Sequence, residues 1–213
     1  MKNMRTCFAL FRPEIFIDCR TERSDETSLN WIIEELSSLG RKAPKQIVYC
    51  QSIDSVSSLY RLFAAKNRLI DYVQMYHAHL PAKLKDDIAE EFSRENSQIR
   101  LLLCTVAFGM GIDVKDIERV IHWGVPATVE EYWQEVGRCS RDGRPGHAIL
   151  YNIPGSVRTN RTKECMINLI KTNVCIRQHV MKTFQFKGVA LSQSHNVCQD
   201  KCCNRCKTLT HNK

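Results

Sequence analysis

The sequence lacks the features of membrane and secreted proteins. No apolar run approaches the roughly 20 residues that a helix needs to span a bilayer, and the chain does not open with a positive segment followed by an apolar one. Internal repeats are absent, and the only biased stretch is a linker with Ser, Gln and His at 191–196. We therefore expect a soluble protein in a reducing, intracellular setting.

Acidic residues are scarce in one part of the chain only. Over all 213 residues, 31 Lys and Arg stand against 23 Asp and Glu, which gives a formal net charge of +8. From Arg158 to Lys213, eleven basic residues stand against two acidic ones, so the preceding segment is nearly neutral. A basic tail favours a polyanionic partner, although such charges also occur on ordinary solvated faces.

Cysteine is abundant, with 11 residues in two groups. Five are scattered through apolar sequence and are interpreted as small buried side chains: Cys7, Cys19, Cys50, Cys104 and Cys139. In the basic tail, Cys203 and Cys206 have the close spacing of a zinc knuckle, and Cys175 and Cys198 precede them. These four thiolates predict a tetrahedral zinc site, with Cys202 as the less favoured alternative to Cys203, and free thiols or disulfides as the other interpretation.

Short apolar runs alternate with helical patterns through the middle of the chain. Strands are predicted at 46–50, 72–77, 99–104, 117–122 and 147–151, and helices at 28–39, 52–65, 83–92 and 129–139. Alternating strands and helices with short connections indicate an α/β fold with a parallel sheet. Beyond Pro154 the strand signals stop, and 163–184 is predicted to be mainly helical.

The segment after the third strand combines a hydroxyl with two glycines. Thr105 follows the buried run directly, and Gly109 and Gly111 come soon after it. At the carboxyl edge of a parallel sheet, such a turn can offer a hydroxyl and backbone N–H groups to a phosphate. The alternative is a tight turn that uses the glycines only for their backbone freedom.

Basic residues recur at helical spacing near the end of the helix predicted at 129–139. Gln134, Arg138 and Arg141 fall at i, i+4 and i+7, so they can share one face. Two fixed guanidinium groups can neutralise a transferring phosphoryl group. The alternative is a solvated basic helix end, which is favourable in its own right.

Taken together, these two segments resemble a known family. Residues 105–113 (TVAFGMGID) and 134–143 (QEVGRCSRDG) closely resemble motifs V and VI of superfamily 2 helicases in the form that the RecQ family uses. Residues 47–52 are similar to RecQ motif IV, and 76–80 to the family's Tyr-His-Ala-Gly-Leu, with His79 in place of the glycine. The resemblance covers nearly the whole chain and implies a RecA-like parallel sheet flanked by helices.

The resemblance implies a role for each matching residue of the nucleotide cleft. Arg141 would be the arginine finger that reaches the γ-phosphate of ATP, and Arg138 and Gln134 would couple nucleotide state to lobe closure. Asp113 and Gly111 would lie on the same side of the cleft. Since Arg138 and Arg141 would face a partner lobe, we expect both side chains to be exposed and lightly paired.

The resemblance also implies contacts with single-stranded DNA and a zinc module. Ser52, His77 and Thr105 would face the phosphates of the tracked strand, although His77 can equally be a core histidine at a strand end. RecQ proteins carry a small helical zinc-binding module after this lobe. Its pattern of a Cys, an Arg and an aromatic residue matches Cys175, Arg177 and Phe184, and Arg177 would lie near the DNA.

Two motifs of a complete helicase are missing from this sequence. Neither a Gly-x4-Gly-Lys-Ser/Thr loop nor a DExH motif, which hold ATP and Mg²⁺, occurs here. We therefore expect a connector at 1–43 from a missing first lobe, the second helicase lobe at 44–154, and the zinc module at 155–213.

The family's activity would then need more than this chain. The resemblance implies ATP-dependent 3′ to 5′ DNA unwinding in repair and recombination, in the nucleus if the source is eukaryotic. The isolated chain is expected to lack ATPase activity. The alternatives are a non-catalytic DNA-binding module that uses the basic tail, and a regulatory partner that docks on a separate first lobe.

Overall fold

A computed structural model describes residues 11–22, 26–66, 69–105, 114–184 and 202–211. The strands are β1 (Ile15–Thr21), β2 (Lys45–Cys50), β3 (Val73–Tyr76), β4 (Leu101–Cys104), β5 (Ile117–Trp123) and β6 (Gly146–Asn152). The α-helices are α1 (Asn30–Leu39), α2 (Ile53–Ala64), α3 (Ala82–Ser93), α4 (Val129–Val136), α5 (Glu164–Lys171), α6 (Ile176–Thr183) and α7 (Asn204–His211). Short 3-10 turns lie at Glu26–Leu29, Gly40–Lys42 and Leu69–Asp71.

The six strands form one parallel sheet in the order β1-β6-β5-β2-β4-β3. This confirms the predicted α/β fold with a parallel sheet flanked by helices. Part of the segment expected to be a connector is built into the sheet, because β1 pairs with β6 from Ile15 opposite Gly146 to Thr21 opposite Asn152.

The sheet is covered on both faces, which explains its continuous apolar strands. Every residue of β2 and β4 is buried. Ile47 and Tyr49 belong to one core cluster, whereas Val48 and Cys50 belong to the other, as the alternation of side chains along a strand requires. The first cluster contains residues of α4, α5 and α6, and the second contains residues of α1 and α2.

Two helical segments differ from the sequence pattern. The region 163–184 is split into α5 and α6, and α4 stops at Val136 rather than at Cys139. Beyond α4 the chain turns back to the sheet, since Ser140 N donates to Ile117 O at 2.8 Å and Ser140 takes a left-handed φ of 56°. Within the described ranges, no helix is both long and apolar enough to cross a membrane.

Candidate functional site

Three of the predicted DNA contacts follow three neighbouring strands. Ser52 comes after β2, His77 directly after β3, and Thr105 directly after β4. Tyr49 of β2 and Tyr76 of β3 are both register partners of Cys104, so the three strands end at the same level of the sheet. We call the surface formed by Ser52, His77 and Thr105 the carboxyl edge.

The three residues of the carboxyl edge carry no formal charge. Ser52 is the N-cap of α2, and its Oγ accepts from Ser55 N at 3.2 Å. Thr105 N donates to Tyr76 O at 3.3 Å, which joins the ends of β3 and β4. Burial, together with the neighbouring His79, lowers the pKa of His77, so the imidazole is neutral at physiological pH. His77 is 7% exposed, and its Nδ1 has no hydrogen-bond partner among the described residues.

The segment 137–143, which we call the finger loop, lies at the amino-terminal end of β5. Arg141 is exposed, as expected, and its Nε contacts Gly137 O at 3.4 Å. Gln134 is also exposed, on α4. The expected exposure of Arg138 is wrong, because this side chain is only 6% exposed. Since α4 ends at Val136, the argument from i, i+4 and i+7 spacing does not apply beyond that residue.

A buried polar pair, which the sequence analysis missed, lies beside Arg138. His122 Nε2 and Glu135 Oε2 are 2.9 Å apart, and both side chains are buried. The His122 ring stacks on Tyr49 with centroids 5.5 Å apart and packs against Tyr132 at 4.9 Å. The only signal in the sequence was a histidine near a strand end and a glutamate on the following helix, and such residues are common.

Four cysteine side chains lie close together next to β1. Cys175, Cys202, Cys203 and Cys206 are buried, and their Sγ atoms all lie within 4.8 Å of one another. The Sγ atoms of Cys175 and Cys202 are 3.5 Å apart, and those of Cys203 and Cys206 are 3.4 Å apart. Four thiolates around a tetrahedral zinc with Zn–S near 2.3 Å would be about 3.8 Å apart, so this cluster fits such an ion.

The cluster agrees only in part with the predicted ligands. It contains Cys175, Cys203 and Cys206, as expected, and Cys202 accompanies Cys203 instead of merely competing with it. Cys198 lies outside the described residues, as do Asp113 and Gly111 of the expected nucleotide cleft.

Arg177 differs most from its expected place at a DNA-binding surface. It is 2% exposed, and its guanidinium donates to Phe11 O at 2.5 Å, to Arg12 O at 2.7 Å and to Ile15 O. The guanidinium carbon also lies 5.9 Å from the centre of the Trp133 ring. Arg177 therefore binds backbone inside the protein, and a surface contact with DNA is not available to it.

Much of the chain is similar to known helicases. Residues 27–143 match the family described as "Helicase conserved C-terminal domain". The chain is 26% identical over 221 residues to the bifunctional 3′-5′ exonuclease/ATP-dependent helicase WRN of Mus musculus, covering 95% of this chain and 15% of that protein. It is 34% identical over 116 residues to the ATP-dependent DNA helicase RecQ of Pasteurella multocida, covering 54% of this chain and 18% of that protein. The chain thus spans less than a fifth of either relative.

The fold has counterparts among solved structures. The C-terminal domain of the DEAD-box protein Dbp5 superposes with a TM-score of 0.55 at 19% identity, over 81% of this chain and 86% of that one. At this identity the likeness concerns the fold alone, which is RecA-like.

Proposed function

Because the chain belongs to the helicase conserved C-terminal domain family, in its RecQ branch, we propose that it forms the second motor lobe of an ATP-dependent DNA helicase with 3′ to 5′ polarity. The observation that carries the proposal is that the expected DNA contacts and the expected ATP contact lie on different parts of the lobe. Ser52, His77 and Thr105 lie together at the carboxyl edge, whereas the exposed Arg141 lies on a separate loop at the start of β5.

The carboxyl edge suits a strand that must slide. Its hydroxyl groups would hydrogen-bond phosphates without the strong attraction of fixed cations, and the largely buried imidazole of His77 would add only an uncharged contact. Ser52 adds the N-terminus of α2, whose free N–H groups favour an anion. Contacts to phosphates carry no base information, which fits a motor that moves along any sequence.

The finger loop supplies half of a nucleotide site. Arg141 would stabilise charge on the γ-phosphate of ATP held with Mg²⁺ by a first lobe, and Gln134 and Arg138 would link that contact to lobe closure. By family resemblance, Asp113 and Gly111 would lie on the same side of the cleft. Without the phosphate-holding motifs, this chain alone would not hydrolyse ATP.

The cysteine cluster would hold a structural zinc ion. Bound there, the metal would crosslink α6, α7 and the backbone of β1, since Ile17 N donates to Cys202 O at 3.2 Å. Cys175, Cys203 and Cys206 are common to both ligand sets, and the geometry of the cluster favours Cys202 over Cys198 as the fourth.

Metal binding is tested by zinc content and by the charge-transfer spectrum of the cobalt-substituted chain. We expect one metal per chain, lost in Cys203→Ser and Cys206→Ser. Cys202→Ser should weaken the thiolate-to-cobalt absorption, whereas Cys198→Ser should leave it unchanged. The reverse pattern would assign the fourth ligand to Cys198, and a metal-free folded chain would refute the site.

The motor role is tested by mixing this chain with a separately produced first lobe of a RecQ helicase. We expect DNA-stimulated ATPase activity only in the mixture, and Arg141→Lys should lower it by about a thousandfold. Arg144→Lys is the matched control, because Arg144 is an exposed arginine three residues away that pairs with Asp142. Equal effects of the two changes would contradict the finger assignment.

A non-catalytic DNA-binding module is the second candidate, favoured by the basic excess from Arg158 onwards. Tight DNA binding without ATPase activity in the mixture would support it over the motor lobe. Under either proposal the partner is single-stranded or forked DNA, and a eukaryotic chain would act in the nucleus.

A further inference from the structure

Two arginines join parts of the chain that are far apart in sequence. The first is Arg177, the second residue of α6, whose guanidinium donates to the carbonyls of Phe11, Arg12 and Ile15. The rigid fork of a guanidinium fixes the directions of these hydrogen bonds, which a lysine ammonium cannot do. Arg177 therefore fixes the backbone ahead of β1 against the helix that begins next to Cys175.

The second is Arg12, which reaches from that same backbone to the finger loop. Its guanidinium donates to Gly137 O at 2.9 Å, to Ser140 O at 3.1 Å and to Cys139 O. These carbonyls follow the end of α4, where backbone acceptors lack helical partners and a cation is favourable. Arg12 thus ends α4 and holds the loop that carries Arg141.

Several features keep this arrangement in one conformation. Arg12 has a left-handed φ of 41°, which is uncommon for a residue with a Cβ and indicates that its surroundings impose it. Glu14 forms an ion pair with Arg12, and Glu14 O accepts from Gly146 N at 3.0 Å. Gly146 has no room for a side chain, because a Cβ there would collide with Ser140 and Cys139. The finger loop is therefore packed directly between Arg12 and the first residue of β6.

We propose that Arg177 and Arg12 are positioning residues that set the finger loop, and with it Arg141, from the cysteine-rich module. The path runs from α6 through Arg177 to the carbonyl of Arg12, and from the side chain of Arg12 to 137–143. What Arg141 does with its position rests on the proposed function. The coupling itself is a property of this chain and needs no nucleotide.

The coupling is tested by amide hydrogen exchange of the full chain. Arg177→Lys should speed exchange of the Cys139, Ser140 and Gly143 amides by at least about tenfold. The reason is that the guanidinium no longer holds the backbone of Arg12, whose side chain holds the finger loop. The amides of β2 and β4 should not change. Arg12→Lys should have the same local effect, and the double variant should add little to the larger single effect.

Arg20→Lys is the matched control. Arg20 lies on β1, and its guanidinium donates to Asp18 and Tyr151 instead of to the finger loop. This change should leave 137–143 as protected as in the unaltered chain. Side-chain NMR gives a second measurement, since the Nε signal of Arg141 should shift in Arg177→Lys and stay in place in Arg20→Lys.

Two results would overturn the coupling. One is unchanged exchange at 137–143 in Arg177→Lys, and the other is a uniform increase over the whole chain, which would make Arg177 a general stabiliser. Arg12→Lys keeps the test decisive where Arg177→Lys fails to fold, since unaltered protection of the finger loop in Arg12→Lys refutes the path. If the coupling holds and Arg141→Lys leaves the ATPase of the mixed lobes intact, the proposed function fails while the coupling stands.

Discussion

Asp18, on the edge strand β1, is a single side chain whose charge affects the stability of the fold at low pH. Its carboxylate accepts from Arg20 Nε at 2.8 Å and lies 3.7 Å from His147 Nε2 on β6. Partial burial would raise the pKa of Asp18, but the nearby imidazole of His147 and the hydrogen-bonded guanidinium of Arg20 outweigh it and lower the pKa below 3.8. The charged form therefore stabilises the folded state.

A defined pH dependence follows for Asp18→Asn. A carboxyl group whose pKa is lowered on folding contributes stability above its unfolded pKa, near 3.8, and loses it as the pH falls through the folded value. In urea unfolding between pH 6 and pH 3, the gap in midpoint between the unaltered chain and Asp18→Asn should shrink towards low pH. The exposed control is Asp71→Asn. If the difference in midpoint for Asp18→Asn stayed constant with pH and equalled that of the control, the lowered pKa of Asp18 would not be its cause.

The orientation of single side chains could not be predicted from the sequence. The family pattern identified Arg138, Arg141 and Arg177 as notable, yet only the fold determines which way each is turned. Arg177 is buried against the backbone of Phe11, which lies 166 residues earlier in the chain. A local sequence pattern cannot predict a contact over that separation. Arg138 follows the end of α4, so helical spacing could not predict which way its side chain points.

At the scale of elements, the two helix N-caps provide a matched pair. Ser52 Oγ accepts from Ser55 N at 3.2 Å at the start of α2, and Thr128 Oγ1 accepts from Glu131 N at 3.0 Å at the start of α4. Each alanine substitution should cost about 1 kcal/mol in the free energy of unfolding. Only Ser52 belongs to the carboxyl edge, so only Ser52→Ala should also weaken single-stranded DNA binding, by about fivefold. Equal DNA affinities of the two variants would remove Ser52 from the interface.

Lys45 joins three elements at the amino-terminal edge of the sheet. Its Nζ donates to Phe92 O at 2.9 Å and Arg94 O at 2.6 Å, at the end of α3, and pairs with Asp116 at 2.9 Å before β5. Lys45→Met would leave Asp116 and these carbonyls without their cation. We expect a loss of roughly 2–4 kcal/mol in the free energy of unfolding.

The control for Lys45→Met is Lys83→Met, which removes an exposed lysine of α3. Chemical denaturation of both variants separates the buried contact from the general effect of losing one charge. A similar, small loss in both would show that Lys45 contributes no more than a surface residue.

Elements were predicted well where burial alone determines them. The strands β2 and β4 are buried at every position, so their apolar runs were visible in the sequence. The end of α4 was not predicted, because it depends on Arg12 and on the hydrogen bond from Ser140 to Ile117, both of them long-range contacts. The place of β1 in the sheet likewise depends on its long-range pairing with β6, so the sequence predicts only a connector over 1–43.

At the scale of the whole molecule, the net positive charge lies in the tail, apart from the nearly neutral residues that precede it. Several basic residues of the described tail are exposed, among them Arg158, Arg161, Lys163, Lys171 and Lys182. The carboxyl edge is neutral, so most of the electrostatic attraction for DNA would come from the tail. Composition alone predicted this asymmetry, because net charge along a chain needs no knowledge of the fold.

The salt dependence of DNA binding separates the two contributions. Each phosphate neutralised on a single strand adds about 0.7 to the slope of log affinity against log salt. We compare two triple variants that remove the same charge by lysine-to-glutamine changes: a tail set at Lys163, Lys171 and Lys182, and a lobe set at Lys42, Lys66 and Lys83. All six side chains are exposed, so neither set should unfold the chain.

The tail set should lower the slope by about 2, and the lobe set should leave it nearly unchanged. Ser52→Ala should reduce affinity without changing the slope, because a hydroxyl group displaces no counterion. Equal slopes for the two triple variants would mean that only net charge matters and would remove the tail from the DNA interface. A slope that falls only with the lobe set would move the electrostatic contact to the face of the sheet domain.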